Sequence, residues 1–159
     1  FGVAVFAVML GMGRSLYAKF GKNISRFLLM GFAGSAVCYI TAALSHNVFV
    51  GLAACAFTGF CVSMLWPGTL IYMADMIPHA SVAIYALLAA GGDLGGSVAP
   101  QLVGSITDFV SQNGLFAAFA GSLTSEQIGF KVGMLIAAVF PLLGTVVALF
   151  MRRAEKNIN

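Results

Sequence analysis

Uncharged runs of membrane length are the strongest constraint on this chain. Four stretches, at about 24–44, 48–76, 81–107 and 127–151, each reach 20 residues or more and carry at most one charged side chain. A helix of roughly 20 apolar residues crosses a hydrocarbon core of about 30 Å. With 60% hydrophobic and only 8% charged residues, the chain has too few charges to coat a water-soluble exterior. The pattern predicts an all-α, polytopic membrane bundle, a single membrane domain over residues 1–159. A shorter run at 1–12 reads as the back half of a severed span, which makes the chain a fragment of something larger. It lacks the basic leader of a signal peptide.

Placement of the bases predicts orientation. Arg14, Lys19, Lys22 and Arg26 surround the first connection, Arg152, Arg153 and Lys156 follow the last span, and only Lys131 lies elsewhere. With five spans these two groups share a side, and the positive-inside rule makes that side the cytoplasm. The expectation is a multi-pass protein of the cell membrane with a cytoplasmic C-terminus. Bases that flank membrane spans are topology signals, not a nucleic-acid footprint.

The stretch 81–108 carries one acid, Asp93, near its middle. On a helix, Asp93, Ser97, Gln101 and Ser105 occupy an arc of about 120°, and Gly92, Gly96, Pro100 and Gly104 form a stripe beside it. The first face can line an aqueous path; the second can let a neighbouring backbone come close. A carboxyl at bilayer depth is costly and marks a functional site by default. Without a counter-cation at that depth it can take and release a proton as water gains and loses access, the chemistry of a proton coupler. The bland alternative is a protonated structural acid bonded to a neighbouring helix.

The preceding span carries Trp66, Pro67 and Tyr72. Pro67 cannot donate to the carbonyl of Ser63, so a kink is expected there, with the freed carbonyl satisfied by a neighbour or by water. Trp66 lies near mid-span, away from the interfacial belt, and suits the lining of a cavity. Cys38, Cys55 and Cys61 sit inside spans and read as small packing residues. His46 and His79 fall at turns, so no metal site or cofactor is expected. Ser81 is placed to cap the fourth helix, and the sequence 124–127, Thr-Ser-Glu-Gln, reads as a capping box opening the last. Between them, the apolar patch 115–120 is a candidate for lying on the membrane surface.

These residues resemble a known family. GMGRSLYAKFGKN is similar to the glycine- and base-rich loop of the major facilitator superfamily, with Lys19, Gly21 and Lys22 at its basic and glycine positions and Ala18 where an acid usually stands. MLWPGT followed by GGDLGGSVAPQLVGSITD is similar to the tenth and eleventh helices of fucose-permease-like members. The resemblance implies that the chain runs from the late eighth helix through the twelfth. It further implies that the tenth and eleventh helices face a central cavity, the ninth and twelfth face lipid, and the N-terminal half of the transporter is missing. It makes Arg14, Lys19, Gly21 and Lys22 a cytoplasmic gating loop.

The leading expectation is therefore part of a secondary active transporter of small polar solutes, sugars being the candidates, with Asp93, Ser97, Gln101, Trp66 and Tyr72 along the substrate or ion pathway. A non-transporting membrane subunit or a truncated product is the alternative. An intramembrane aspartyl protease fits poorly: Asp75 lies at a helix end and Asp93 at a helix centre, about 20 Å apart in depth, whereas a catalytic dyad must share a proton. The expected partners are a small-molecule substrate, the lipid bilayer and the missing half, not nucleic acid.

Overall fold

The computed structural model describes residues 2–21, 23–113 and 123–158, with side chains through residue 153. These residues form seven α-helices: α1 (Gly2–Phe20), α2 (Ile24–Leu44), α3 (Val48–Val62), α4 (Leu65–Met76), α5 (Val82–Gln112), α6 (Ser125–Ala137) and α7 (Val139–Ile158). α3 with α4, and α6 with α7, each make one interrupted span. Among the described residues there are thus five spans long and apolar enough to cross a membrane. Their exteriors are apolar: Val3, Phe49 and Val82 are all more than four-fifths exposed. Lipid, not water, suits such a surface.

Local chemistry sets the helix starts. Asn23 accepts from the backbone N–H of Arg26 at the head of α2, and Asn47 accepts from that of Phe49 at the head of α3. The capping box is present, with Thr124 N–H donating to Gln127 Oε1 at 3.2 Å and Gln127 N–H to Thr124 Oγ1 at 3.3 Å. Ser81 occupies the N-cap of α5 but makes no side-chain bond there. Lys131 closes the far end of another helix. Its ammonium donates to the carbonyl of Ser45, the C-cap of α2, at 2.8 Å. A cation at a helix C-terminus satisfies a free carbonyl and complements the macrodipole.

Helix boundaries differ from those expected of the sequence at three places. The first helix does not stop at residue 12 but runs through the basic segment to Phe20, since Arg14, Leu16, Ala18 and Lys19 are good helix formers. Loss of hydropathy there marks a change of surroundings, not of backbone. At 19 residues the helix is about 28 Å long and is long and apolar enough to count among the candidate spans. α5 continues past 107 to Gln112, and the last span is helical through Ile158 where a solvated tail is expected. That span is also interrupted at Ala138, three residues before Pro141. The patch 115–120 lies outside the described residues.

α2 is the hub, packing on α3, α4, α6 and α7. It buries Leu28, Ser35 and Ala36 on one side and leaves Met30, Val37 and Leu44 exposed on the other. α5, by contrast, touches mainly α6 and buries only Val110. Close approach depends on glycine. A Cβ at Gly31 would lie 2.7 Å from the Cys61 carbonyl oxygen, and one at Gly59 would lie 2.5 Å from that of Phe6. At one end of the bundle, Tyr17 meets Phe27 edge-on at 4.9 Å, and both pack with Tyr72 and Met151 around Ile24, Leu28 and Met64. The end of α1, the start of α2 and the Met151 region of α7 therefore share one end of the bundle, which brings the described bases other than Lys131 together.

Gly59→Ala is expected to destabilise the bundle by about 1–3 kcal/mol through overpacking, seen as a lower melting temperature in detergent. Gly91→Ala, at a glycine with open space around it, leaves that temperature unchanged or raises it.

Candidate functional site

The polar face of α5 is a continuous open surface. Asp93, Ser97, Gln101 and Ser105 are all exposed. Ser97 turns its hydroxyl back on its own helix, donating to the Asp93 carbonyl at 2.8 Å, a common way for a helical serine to satisfy itself. The Asp93 carboxyl and the Gln101 amide remain the polar groups on offer. Asp93 keeps the mid-helix position expected of it, eleven residues beyond Val82 at the head of a 31-residue helix.

Trp66 joins this face from α4. A Cβ at Gly92 would lie 2.7 Å from the indole Cζ3, so the ring is in close contact with the residue that precedes Asp93. Any larger side chain at 92 would push the ring away. Trp66 is itself 42% exposed. Tyr72 does not join them. Six residues from Trp66, it points about 120° away, into the cluster around Ile24, Leu28 and Met64. The structure thus brings together Asp93, Trp66, Ser97 and Gln101 and leaves Tyr72 in packing between α2 and α4.

The helix break before Trp66 lies where Pro67 removes a ladder bond, and it has an unexpected partner. α3 ends at Val62 with a tight turn in which Ser63 N–H donates to the Phe60 carbonyl at 3.3 Å, and the ladder resumes with Gly68 N–H on Met64 at 2.8 Å. Between them Pro67 has no N–H for the Ser63 carbonyl. Arg14 supplies the missing donor, its Nε lying 3.1 Å from that oxygen. Gly13 permits this, since a Cβ there would collide with the Ser63 side chain.

Two of the gating-loop residues lie on a helix and not on a loop. Arg14 and Lys19 belong to α1, and the connection to α2 is only residues 21–23. Lys19 lies over the Phe20 ring with its ammonium 5.3 Å from the centroid, and Gly21 N–H donates to the Tyr17 carbonyl at 2.7 Å. Lys22 lies outside the described residues. Basic and glycine-rich composition suggested a loop because it lowers hydropathy; the short spacing to Asn23 was the signal that a tight turn would suffice.

Sequence reasoning missed a half-open cavity of about 700 Å³ lined by residues of α2, α3, α4, α5, α6 and α7. Phe32, Leu65, Val103 and Phe140 form much of its wall, and Pro100 and Gly104 border it. The stripe expected to receive a neighbouring backbone thus faces open space at Gly96 and Gly104. Close backbone contact to α5 occurs instead at α6, where a Cβ on Gly129 would lie 2.6 Å from the Thr107 carbonyl oxygen. A gap left by mismatched small residues has no one-dimensional signature. Among the described residues no cluster of three metal-ligating side chains occurs. No family model, curated protein or solved structure matches the chain.

Arg14→Met is expected to lower stability by about 1 kcal/mol, because it strands the Ser63 carbonyl. In a Pro67→Ala background, where a backbone N–H is restored, the same substitution costs less; a double-mutant cycle on thermal unfolding in detergent measures the difference.

Proposed function

We propose that the chain forms part of a secondary active transporter that moves small polar solutes by alternating access, with Asp93 as its proton- or substrate-binding group. The observation that carries this reading is a mid-helix carboxyl on an open polar face, flanked by an indole held against Gly92. Ionisable groups at that depth are expensive and serve pathways in membrane proteins. Indole faces stack on apolar ring faces, and amide and carboxyl groups bond hydroxyls, so Trp66, Gln101 and Asp93 together suit a sugar.

In this reading Asp93 is protonated while the path is closed to one side and gives up its proton when water reaches it from the other. Solute binding beside it ties occupancy to protonation, since the same carboxyl serves both. The resemblance of the glycine- and base-rich segment, of MLWPGT and of GGDLGG to the major facilitator superfamily supports this assignment. It also implies that helices of the same transporter outside this chain supply the opposite wall, and that the basic end of the bundle faces the cytoplasm of a cell-membrane protein. Tyr72 serves packing rather than the path, and Arg14 holds the helix break before Trp66.

The test is uptake by the intact protein in proteoliposomes carrying a pH-sensitive dye, screened against a panel of sugars. Wild type is expected to move protons with one of them, and Asp93→Asn to abolish proton-driven accumulation while the protein still folds. Unchanged accumulation with unchanged pH dependence in Asp93→Asn overturns the assignment.

A further inference from the structure

The cavity behind the polar face of α5 has a chemistry of its own. Its volume of about 700 Å³ falls in the range of small-molecule sites, roughly 300–1,000 Å³. Most of the wall is hydrocarbon and aromatic, and two of its hydroxyls are already committed. Ser35 Oγ donates to the Phe32 carbonyl at 3.0 Å, and Thr107 Oγ1 to that of Val103 at 2.8 Å. Among the described residues, Asp108 brings the one charged side chain in the lining.

Polarity in the cavity is sorted by depth. α2 and α5 are separated by one intervening span, so they run in the same direction. Asp108 lies one turn before the end of α5, and Tyr39 little more than a turn before the end of α2. Both therefore sit toward the same end, while Phe32, Leu65, Ala99 and Phe140 extend the wall back toward the middle of the bundle. Lys131, the basic residue of α6, is held by the Ser45 carbonyl. It is not spent on Asp108. The space thus has an apolar interior and an acid toward one end.

We propose that this cavity binds an aliphatic amine, with its hydrocarbon chain along Phe32, Leu65 and Phe140 and its ammonium on Asp108. Lipid tails are as apolar as the wall, so the chain alone gives little preference for the cavity over the bilayer. The charge pairing at Asp108 supplies the selectivity. An ammonium on an alkyl chain can come from a free lipophilic amine or from the head of a phosphatidylethanolamine. This site is independent of the role proposed for Asp93.

The protein in neutral detergent is titrated with decylammonium, decanol and decyl sulfate, and binding is read by the shift in melting temperature and by native mass spectrometry. Decylammonium is expected to bind most tightly, and Asp108→Asn to weaken it about tenfold while leaving decanol unchanged. Gly104→Phe projects a ring into open space beside the cavity and is expected to abolish binding of both without unfolding the bundle. Asp93→Asn changes neither. Competition by phosphatidylethanolamine identifies the bilayer as the source; failure to compete, with decylammonium still bound, identifies a free amine. Equal affinity for all three decyl compounds, or unaltered decylammonium binding in Asp108→Asn or in a folded Gly104→Phe, overturns the proposal.

Discussion

Backbone laid directly on backbone holds this bundle together. In lipid there is no hydrophobic drive between helices, because tails solvate leucine as well as another helix does. Attraction must come from short-range packing, and that requires the axes to approach. Gly31 against the Cys61 carbonyl, Gly59 against that of Phe6 and Gly129 against that of Thr107 are the places where they do. Each contact joins a different helix pair, and together they tie α1 to α3, α3 to α2 and α6 to α5. α2 becomes the hub because α3 reaches its glycine face and α7 its Phe32 side, where Gly144 makes room for the ring.

Three prolines lie within spans, and their effects differ with their surroundings. Pro67 divides the third span, and the carbonyl it frees is taken by Arg14. Pro141 divides the last span at Ala138, and α7 resumes with Leu142 N–H on the Ala138 carbonyl at 3.2 Å. Pro100 lies within α5, which continues unbroken to Gln112. A missing hydrogen bond therefore sets where a helix can yield, and packing decides whether it does. α5 has few neighbours to bend it; the third and last spans are pressed against α2.

Much of this was legible in the chain itself. Five spans, the caps at Thr124 and the break at Pro67 follow from hydropathy and from the chemistry of single residues. The mid-helix position of Asp93 follows from the span's bounds, whereas its exposure follows from α5 having few neighbours, since Leu87, Leu94 and Val98 are exposed as well. What escaped was long-range. Nothing near Arg14 shows that its partner lies 49 positions away, and nothing near Lys131 shows that it closes α2. Tyr72 looked like Trp66 in composition but faces the other way, a difference that the helical angle contains and that residue type hides. The cavity at Pro100 and Gly104 depends on what fails to fill it, which no local pattern encodes.

The joint between α3 and α4 has a mechanical consequence. Bending an intact helix breaks ladder bonds, but here the rung is already missing, so further flexing costs little on the helix itself. Resistance comes from the Arg14 guanidinium on α1 and from the packing of Leu65, Ile71 and Tyr72 against Ile24 and Leu28 of α2. The Trp66 indole, carried on α4 and set against Gly92 of α5, lies just beyond that joint. A substitution at Arg14, on α1, therefore reaches the joint that carries Trp66 without touching α4 itself.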